Sequence, residues 1–141
     1  MIDINLIEAT TAHHPLIFNS YIMSVWSDLD KRKRKRHKKP PPQFARRIHK
    51  VVEQMLENCR VLVADTEGLA IGWAAGGGLP PALQFVYVKR DFRRRGVATS
   101  LVEELFPEGP LVVAHMTNLG QSLLEGLKRG EKLLVGAWED D

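Results

Sequence analysis

Arg93-Arg94-Arg95-Gly96-Val97-Ala98 is the stretch of this chain whose residue types and spacing point to chemistry. It stands after an apolar run and ahead of a helical pattern. The first N–H groups of a helix have no intrahelical partner, and the helix dipole adds positive potential there, so the arrangement suits an anion. Gly96 lets a phosphate approach the backbone, and the small Ala98 keeps that approach open. Arg93, Arg94 and Arg95 add fixed charge, with a planar fork that pairs two phosphate oxygens at once. Taken alone, the same residues also read as a solvated basic turn, and the surrounding elements must decide.

Other constellations carry less. His13, His14, His37, His49 and Cys59 show no metal-ligand spacing, so no metal is expected. Gly76-Gly77-Gly78 lacks the Lys-Ser/Thr that completes a phosphate loop and reads as a connection between strands. Trp26, Trp73 and Trp138 read as packing residues. One cysteine cannot form an internal disulfide, which points to a reducing setting, the cytoplasm. No apolar run reaches the ~20 residues that span a bilayer, and no charged-then-apolar leader opens the sequence.

Charge is distributed unevenly. The net value of +3 includes the run KRKRKRHKK at 31–39, which holds eight Lys/Arg and no acid. Without it the chain has 12 bases against 17 acids. The basicity is thus one local device, an arm or loop over 28–42 that ends in Pro40-Pro41-Pro42. Such a run attracts an acidic protein surface, nucleic acid or an anionic membrane, or is only a solvated loop.

The elements that must position the motif follow from periodicity. Alternation from Ile2 to Ile7 predicts a strand, and the apolar segment Leu16–Trp26 predicts a buried helix, with Pro15 in its first turn. Phe44, Ile48, Val51, Val52, Met55 and Leu56 predict a second, amphipathic helix to about Asn58. Strands are expected at Arg60–Asp65 and Leu69–Ala75, joined by a hairpin turn at Thr66-Glu67-Gly68, and then at Ala82–Val88. Ala98, Leu101, Val102 and Leu105 mark a third helix. Leu111–Ala114 reads as a strand, Leu119–Leu127 as a fourth helix and Leu133–Ala137 as a last strand. The order β α α β β β α β α β over 1–141 predicts a single-domain α/β (α+β) fold: a mixed, mostly antiparallel central sheet flanked by helices.

Val86-Tyr87-Val88, then Lys89-Arg90-Asp91-Phe92, then Arg93 to Ala98 fits the spacing Arg/Gln-x-x-Gly-x-Gly/Ala between a strand end and an amphipathic helix. This resembles the acetyl-CoA motif of the GNAT N-acetyltransferases, and the element order agrees over nearly the whole chain. More narrowly, HPLIFNSYIMSVWSD, FVYVKRDFRRRGVA and VVAHMTN look like segments of acetyltransferases encoded on phage and prophage genomes, where the setting would be a host cytoplasm. The family resemblance implies that acetyl-CoA is the co-substrate and an amine the acceptor; the basic run Lys31–Lys39 points to an amine carried on a macromolecule that the run attracts. It further implies that Val86, Tyr87 and Val88 offer backbone groups to the pantetheine and thioester. Arg94 through Thr99, with Arg93, Gly96 and Val97 in the motif, would hold the pyrophosphate. Asn118 matches an Asn that touches the cofactor arm.

The resemblance also has gaps. Many members carry a Tyr on the last helix as the acid that protonates the leaving thiolate; no Tyr lies between Asn118 and Gly130 here. Where some relatives place a Glu base, this chain has Val113. His115, two residues on and with an ordinary pKa of about 6.5, is a candidate base or a hydrogen-bonded structural group. Tyr87 is a candidate proton donor or a core residue. The short tail after Ala137 leaves an expected sheet edge that a homodimer would cover.

Overall fold

The computed structural model describes residues 3–28, 39–77 and 82–107. Within them the chain runs β1 (Asn5–Glu8), a short 3₁₀ turn (Thr11–His13), α1 (His14–Asp28), α2 (Pro42–Asn58), β2 (Arg60–Thr66), β3 (Leu69–Gly77), β4 (Ala82–Val88), a second 3₁₀ turn (Arg90–Phe92) and α3 (Val97–Leu105). These are the first seven helices and strands expected, in the expected order. The strands form one antiparallel sheet in the order β1-β2-β3-β4. The elements expected beyond Gly109, and the loop segments 29–38 and 78–81, lie outside the described residues.

Boundaries differ for local reasons. The first strand is Asn5–Glu8 rather than residues 2–7, because it begins and ends where β2 can pair with it, from Asn5↔Asp65 to Glu8↔Leu62. The first helix extends to His14–Asp28, with Pro15 as its second residue, where a missing N–H costs nothing. The second helix starts at Pro42, again a proline in the first turn, and Pro41 is its extended N-cap. The β2–β3 turn is the expected hairpin: Glu67 and Gly68 both have positive φ (51° and 82°), as in the two-residue turn that matches strand twist. The Asp65 carboxylate accepts the Gly68 N–H at 3.2 Å.

The sheet separates two apolar clusters. On one face, Ile17, Tyr21, Val25 and Trp26 of α1 and Phe44, Ile48, Val52 and Met55 of α2 pack on Val61, Val63, Trp73, Ala75 and Phe85. On the other, Val97, Leu101 and Val102 of α3 pack on Leu62, Ala64, Ile71, Ala74, Leu83 and Val88. Tyr21, Trp73 and Phe85 form an aromatic centre for the first face, with ring separations of 4.4 to 6.4 Å. The Trp73 indole is fully buried, and its N–H donates to Ser20 Oγ at 2.7 Å. Ser20 in turn donates to the Leu16 carbonyl one helical turn back at 2.6 Å. A polar pair is thereby satisfied within the core.

Two register shifts make this division possible. β2 and β3 pair Ala64↔Gly72 and then Asp65↔Ala70, so Ile71 is an extra residue. β3 and β4 pair Ala75↔Phe85 and then Gly76↔Leu83, so Gln84 is extra. Each bulge resets the alternation of faces. Leu83 therefore points to α3 while Phe85, two residues on, points to α1 and α2.

Candidate active site

β4 is the end strand among the described residues, and its backbone sets the geometry of the site. The Lys89 N–H donates to the Ile71 carbonyl at 2.8 Å, which fixes the phase of the β3–β4 ladder. Alternate residues of an antiparallel strand direct their main-chain groups to opposite sides. Phe85 and Tyr87 thus bond to β3, whereas Val86 and Val88 turn their N–H and C=O groups away from it, to the outer edge of β4. A row of main-chain donors and acceptors on that edge is what an extended amide-containing ligand can pair with.

The chain then passes through Arg90–Phe92 before reaching the basic residues, so the motif follows the strand after one short turn. Arg93 is half-buried. Its Nε–H donates to the Val88 carbonyl at 2.8 Å, and its guanidinium carbon lies 5.9 Å from the Tyr87 ring centre. Arg93 thereby ties the loop back to the strand end. Arg94 adopts φ 64° and Gly96 φ 80°, two left-handed residues on either side of Arg95. For arginine this conformation costs roughly 1–2 kcal/mol. Such strained positions cluster at ligand-binding segments.

Gly96 is the N-cap of α3, and no side chain caps the helix. Its carbonyl accepts the Ser100 N–H at 3.0 Å. The N–H groups of Val97, Ala98 and Thr99 therefore have no intrahelical acceptor. A Cβ placed on Gly96 would meet no atom within 4 Å, so the space above it is open. Val97 is 1% exposed and anchors the first turn against the sheet, which aims those N–H groups outward. Arg94, Arg95 and Gly96 are exposed, while Ala98 and Thr99 are half-buried. An anion fits this arrangement, with free donors, open space and two exposed guanidinium groups.

Of the residues singled out from the sequence, the structure brings Val86, Tyr87, Val88, Arg93, Arg94, Arg95, Gly96, Val97, Ala98 and Thr99 into one continuous strand-loop-helix unit. Tyr87 differs from its neighbours in direction: its side chain packs with the α1–α2 cluster, opposite α3. His115 and Asn118 lie outside the described residues, as do Trp138 and the sheet edge expected after Ala137. Sequence reading missed the left-handed Arg94, the Arg93–Val88 tie and the Gln84 bulge. The unbroken apolar run ALQFVYV gives no sign of an extra residue, and arginine is not a type that signals positive φ.

A cavity of about 230 Å³ lies on the α1–α2 face beside the Gln84 bulge. Tyr21, Gln54, Asn58, Cys59 and Gln84 contribute to its wall. Burial pushes the Tyr21 phenol up to about 12 and raises the Cys59 thiol as well. Both therefore stay protonated at neutral pH, and Cys59 presents no thiolate nucleophile. No helix among the described residues is long and apolar enough to cross a membrane.

Solved structures share this architecture. An aminoglycoside N-acetyltransferase in complex with CoA superposes with a TM-score of 0.55 at 16% identity, over 98% of this chain and 95% of its own. A GCN5-related N-acetyltransferase from Rhodopseudomonas palustris gives 0.64 at 17%, over 89% and 81%. A ribosomal-protein-alanine N-acetyltransferase from Brucella melitensis biovar Abortus gives 0.59 at 17%, over 100% and 96%. At these identities the likeness establishes the fold. No curated protein sequence matches. The family model of the GNAT acetyltransferases matches residues 22–110, a span that includes β4, the arginine loop and α3. On that match, which covers well over half of its length, the chain belongs to the GNAT acetyltransferase family.

Proposed function

We propose that this protein transfers the acetyl group of acetyl-CoA to an amine, with the β4 edge and the Arg93–Thr99 loop as the acetyl-CoA site. The observation that carries this reading is the loop geometry: left-handed Arg94 and Gly96 leave the first N–H groups of α3 uncapped beneath open space. The pyrophosphate would accept those N–H groups, with Arg94 and Arg95 balancing its charge. The pantetheine would lie along the outward groups of Val86 and Val88. The CoA carried by the aminoglycoside acetyltransferase of the same fold supports the choice of ligand.

The chemistry asks three things of this chain. The acceptor amine, with a pKa of about 10.4 if it is a lysine, must lose a proton before it attacks. A tetrahedral oxyanion then needs a donor, and an outward N–H of β4, at Val86 or Val88, supplies one without reorganisation. Holding acetyl donor and amine together contributes much of the remainder. Tyr87 faces the α1–α2 side, from which we propose that the acceptor enters, and it is our candidate proton donor there. His115 is the candidate base, and Asn118 a candidate contact to the cofactor arm. We place the reaction in the cytoplasm, of a host cell if the resemblance to phage-encoded acetyltransferases reflects the gene's origin. The acceptor we favour is an amine on a macromolecule, drawn by Lys31–Lys39.

The test is release of CoA thiol from acetyl-CoA in the presence of an acceptor panel: peptides with free N-termini, lysine peptides with acidic flanks, and an aminoglycoside. The reading expects acceptor-dependent release, with mass spectrometry locating the acetyl group on the amine. Binding of acetyl-CoA with no release for any amine would instead favour a CoA-fold binding protein that uses the basic arm.

A further inference from the structure

The charge of α2 is reversed with respect to its own dipole. Helix N-termini favour acidic side chains and C-termini basic ones, each by roughly 0.3–1 kcal/mol at a surface. Here there is no acid in the first turn and no base in the last. Arg46, Arg47 and Lys50 stand exposed in the N-terminal half, whereas Glu53 and Glu57 stand exposed in the C-terminal half. Lys39, also exposed, precedes the helix, and the sequence has no acid from Lys39 to Val52. Arg46 and Lys50 are one turn apart on one side of the helix, a like-charge spacing that disfavours it by a further few tenths of a kcal/mol.

Among the described residues, the fold leaves Arg46 and Lys50 without local compensation. Among the described residues neither Arg46 nor Lys50 has an ion-pair partner, and the nearest acid along the helix, Glu53, is held by His49 at 2.9 Å. Arg47 is engaged otherwise, with its guanidinium carbon 5.8 Å from the ring centre of the buried Phe44. An external polyanion would relieve what the helix itself leaves unfavourable.

The composition of the face selects the kind of polyanion. Protein-protein interfaces are depleted in lysine and depend on aromatic or aliphatic anchors. Between Lys39 and Lys50 no large apolar side chain is exposed; the exposed ones of the described residues are Ile7, Met23 and Leu69, on other elements. Surfaces that bind nucleic acid are polar and strongly positive. Single strands call for exposed aromatic platforms, which this face lacks. In sequence, the face continues the run Lys31–Lys39, itself free of acids.

We propose that the N-terminal half of α2, through Lys39, Arg46 and Lys50, binds the phosphate backbone of double-stranded nucleic acid without reading its sequence. This does not depend on acetyl transfer. The experiment measures fluorescence anisotropy of a short mixed-sequence DNA duplex with the full chain, between about 50 and 200 mM salt. The wild type and an Arg46→Gln, Lys50→Gln variant are compared, both with the 31–39 run intact. The proposal expects a linear fall of log affinity with log salt. In the variant the slope should be shallower by about 2 and binding weaker by roughly tenfold, with an unchanged circular-dichroism melt. A duplex of shuffled sequence should bind equally well. Equal affinity and slope in the variant would assign all binding to the arm and overturn the proposal. Displacement of the duplex by polyglutamate at lower total charge would overturn it in favour of an acidic protein partner. If the double variant melts early, Lys50→Gln alone should still lower the slope by about 1, and failure to do so counts against the proposal.

Discussion

At the scale of the residue, two conformations set the site: left-handed Arg94 and left-handed Gly96. Gly96 has open space where a side chain would begin, so Gly96→Ala meets no clash and is penalised through its φ of 80°. We expect Gly96→Ala to lower stability by about 1–2 kcal/mol in urea denaturation, and to weaken acetyl-CoA binding by more than tenfold because the methyl occupies the ligand's approach. A loss of stability with full affinity would show that nothing docks above this glycine. The buried Tyr21 makes a second residue-scale prediction. Its phenol ionises near 10 when unfolded and at about 12 in the fold, so its contribution is intact below pH 10 and is lost as pH rises toward 12. The full loss is about 2–3 kcal/mol. Tyr21→Phe should remove that alkaline limb, which denaturation at pH 9 and pH 11.5 measures by difference; an identical limb in both proteins would contradict the burial argument. The place of Gly96 at the head of a helix was legible, since the basic turn directly precedes the helical pattern of Ala98, Leu101, Val102 and Leu105. Arg94 was not, because its backbone angle follows from the path between β4 and α3 and leaves no mark in residue type.

At the scale of the element, β3 and β4 make the site possible by packing closely and by slipping register once. Gly72 permits the close packing: a Cβ there would stand 2.7 Å from the Tyr87 carbonyl oxygen and 3.3 Å from Val88 Cα, both backbone atoms. Gly72→Ala should therefore push β4 away from β3 and cost about 1–3 kcal/mol, and it should impair acetyl-CoA binding through displacement of the Val88 end. Retained melting temperature would show that β4 is freer to move than its pairing implies. Across the sheet, Ser20→Ala leaves the Trp73 N–H without its acceptor in a dry core, at a cost of about 1–3 kcal/mol. Ser20→Thr, which keeps the hydroxyl, should recover part of it. Periodicity and turn residues made the elements themselves readable: α2 repeats apolar residues at helical spacing, and Glu67-Gly68 sits between two apolar runs. The bulges at Ile71 and Gln84 were hidden because both faces of these strands are covered, so apolar residues occur without alternation. Within the β4–α3 connection, Arg90–Phe92 forms a turn of its own that residue type does not announce.

At the scale of the molecule, one sheet holds two clusters with different duties. The α1–α2 side carries the aromatic centre, the cavity beside Gln84 and the reversed charge of α2; the α3 side carries the loop with its uncapped N–H groups. The arginine motif and the order of elements sufficed for the family, because they describe a strand, a basic loop and a helix at a fixed place in a fixed topology. They did not suffice for the acid and base, since those depend on side chains gathered from distant segments, and the Tyr expected on the last helix is absent from the sequence. The account stands or falls on acetyl-CoA. Calorimetric titration of the purified chain, beside an Arg95→Glu, Gly96→Glu variant whose fold is checked by circular dichroism, tests it most directly. The account predicts saturable micromolar binding by the wild type and its loss in the variant. A folded wild-type protein that binds no acetyl-CoA, or a variant that binds it equally well, would contradict the assignment of the β4 edge and the Arg93–Thr99 loop as the cofactor site.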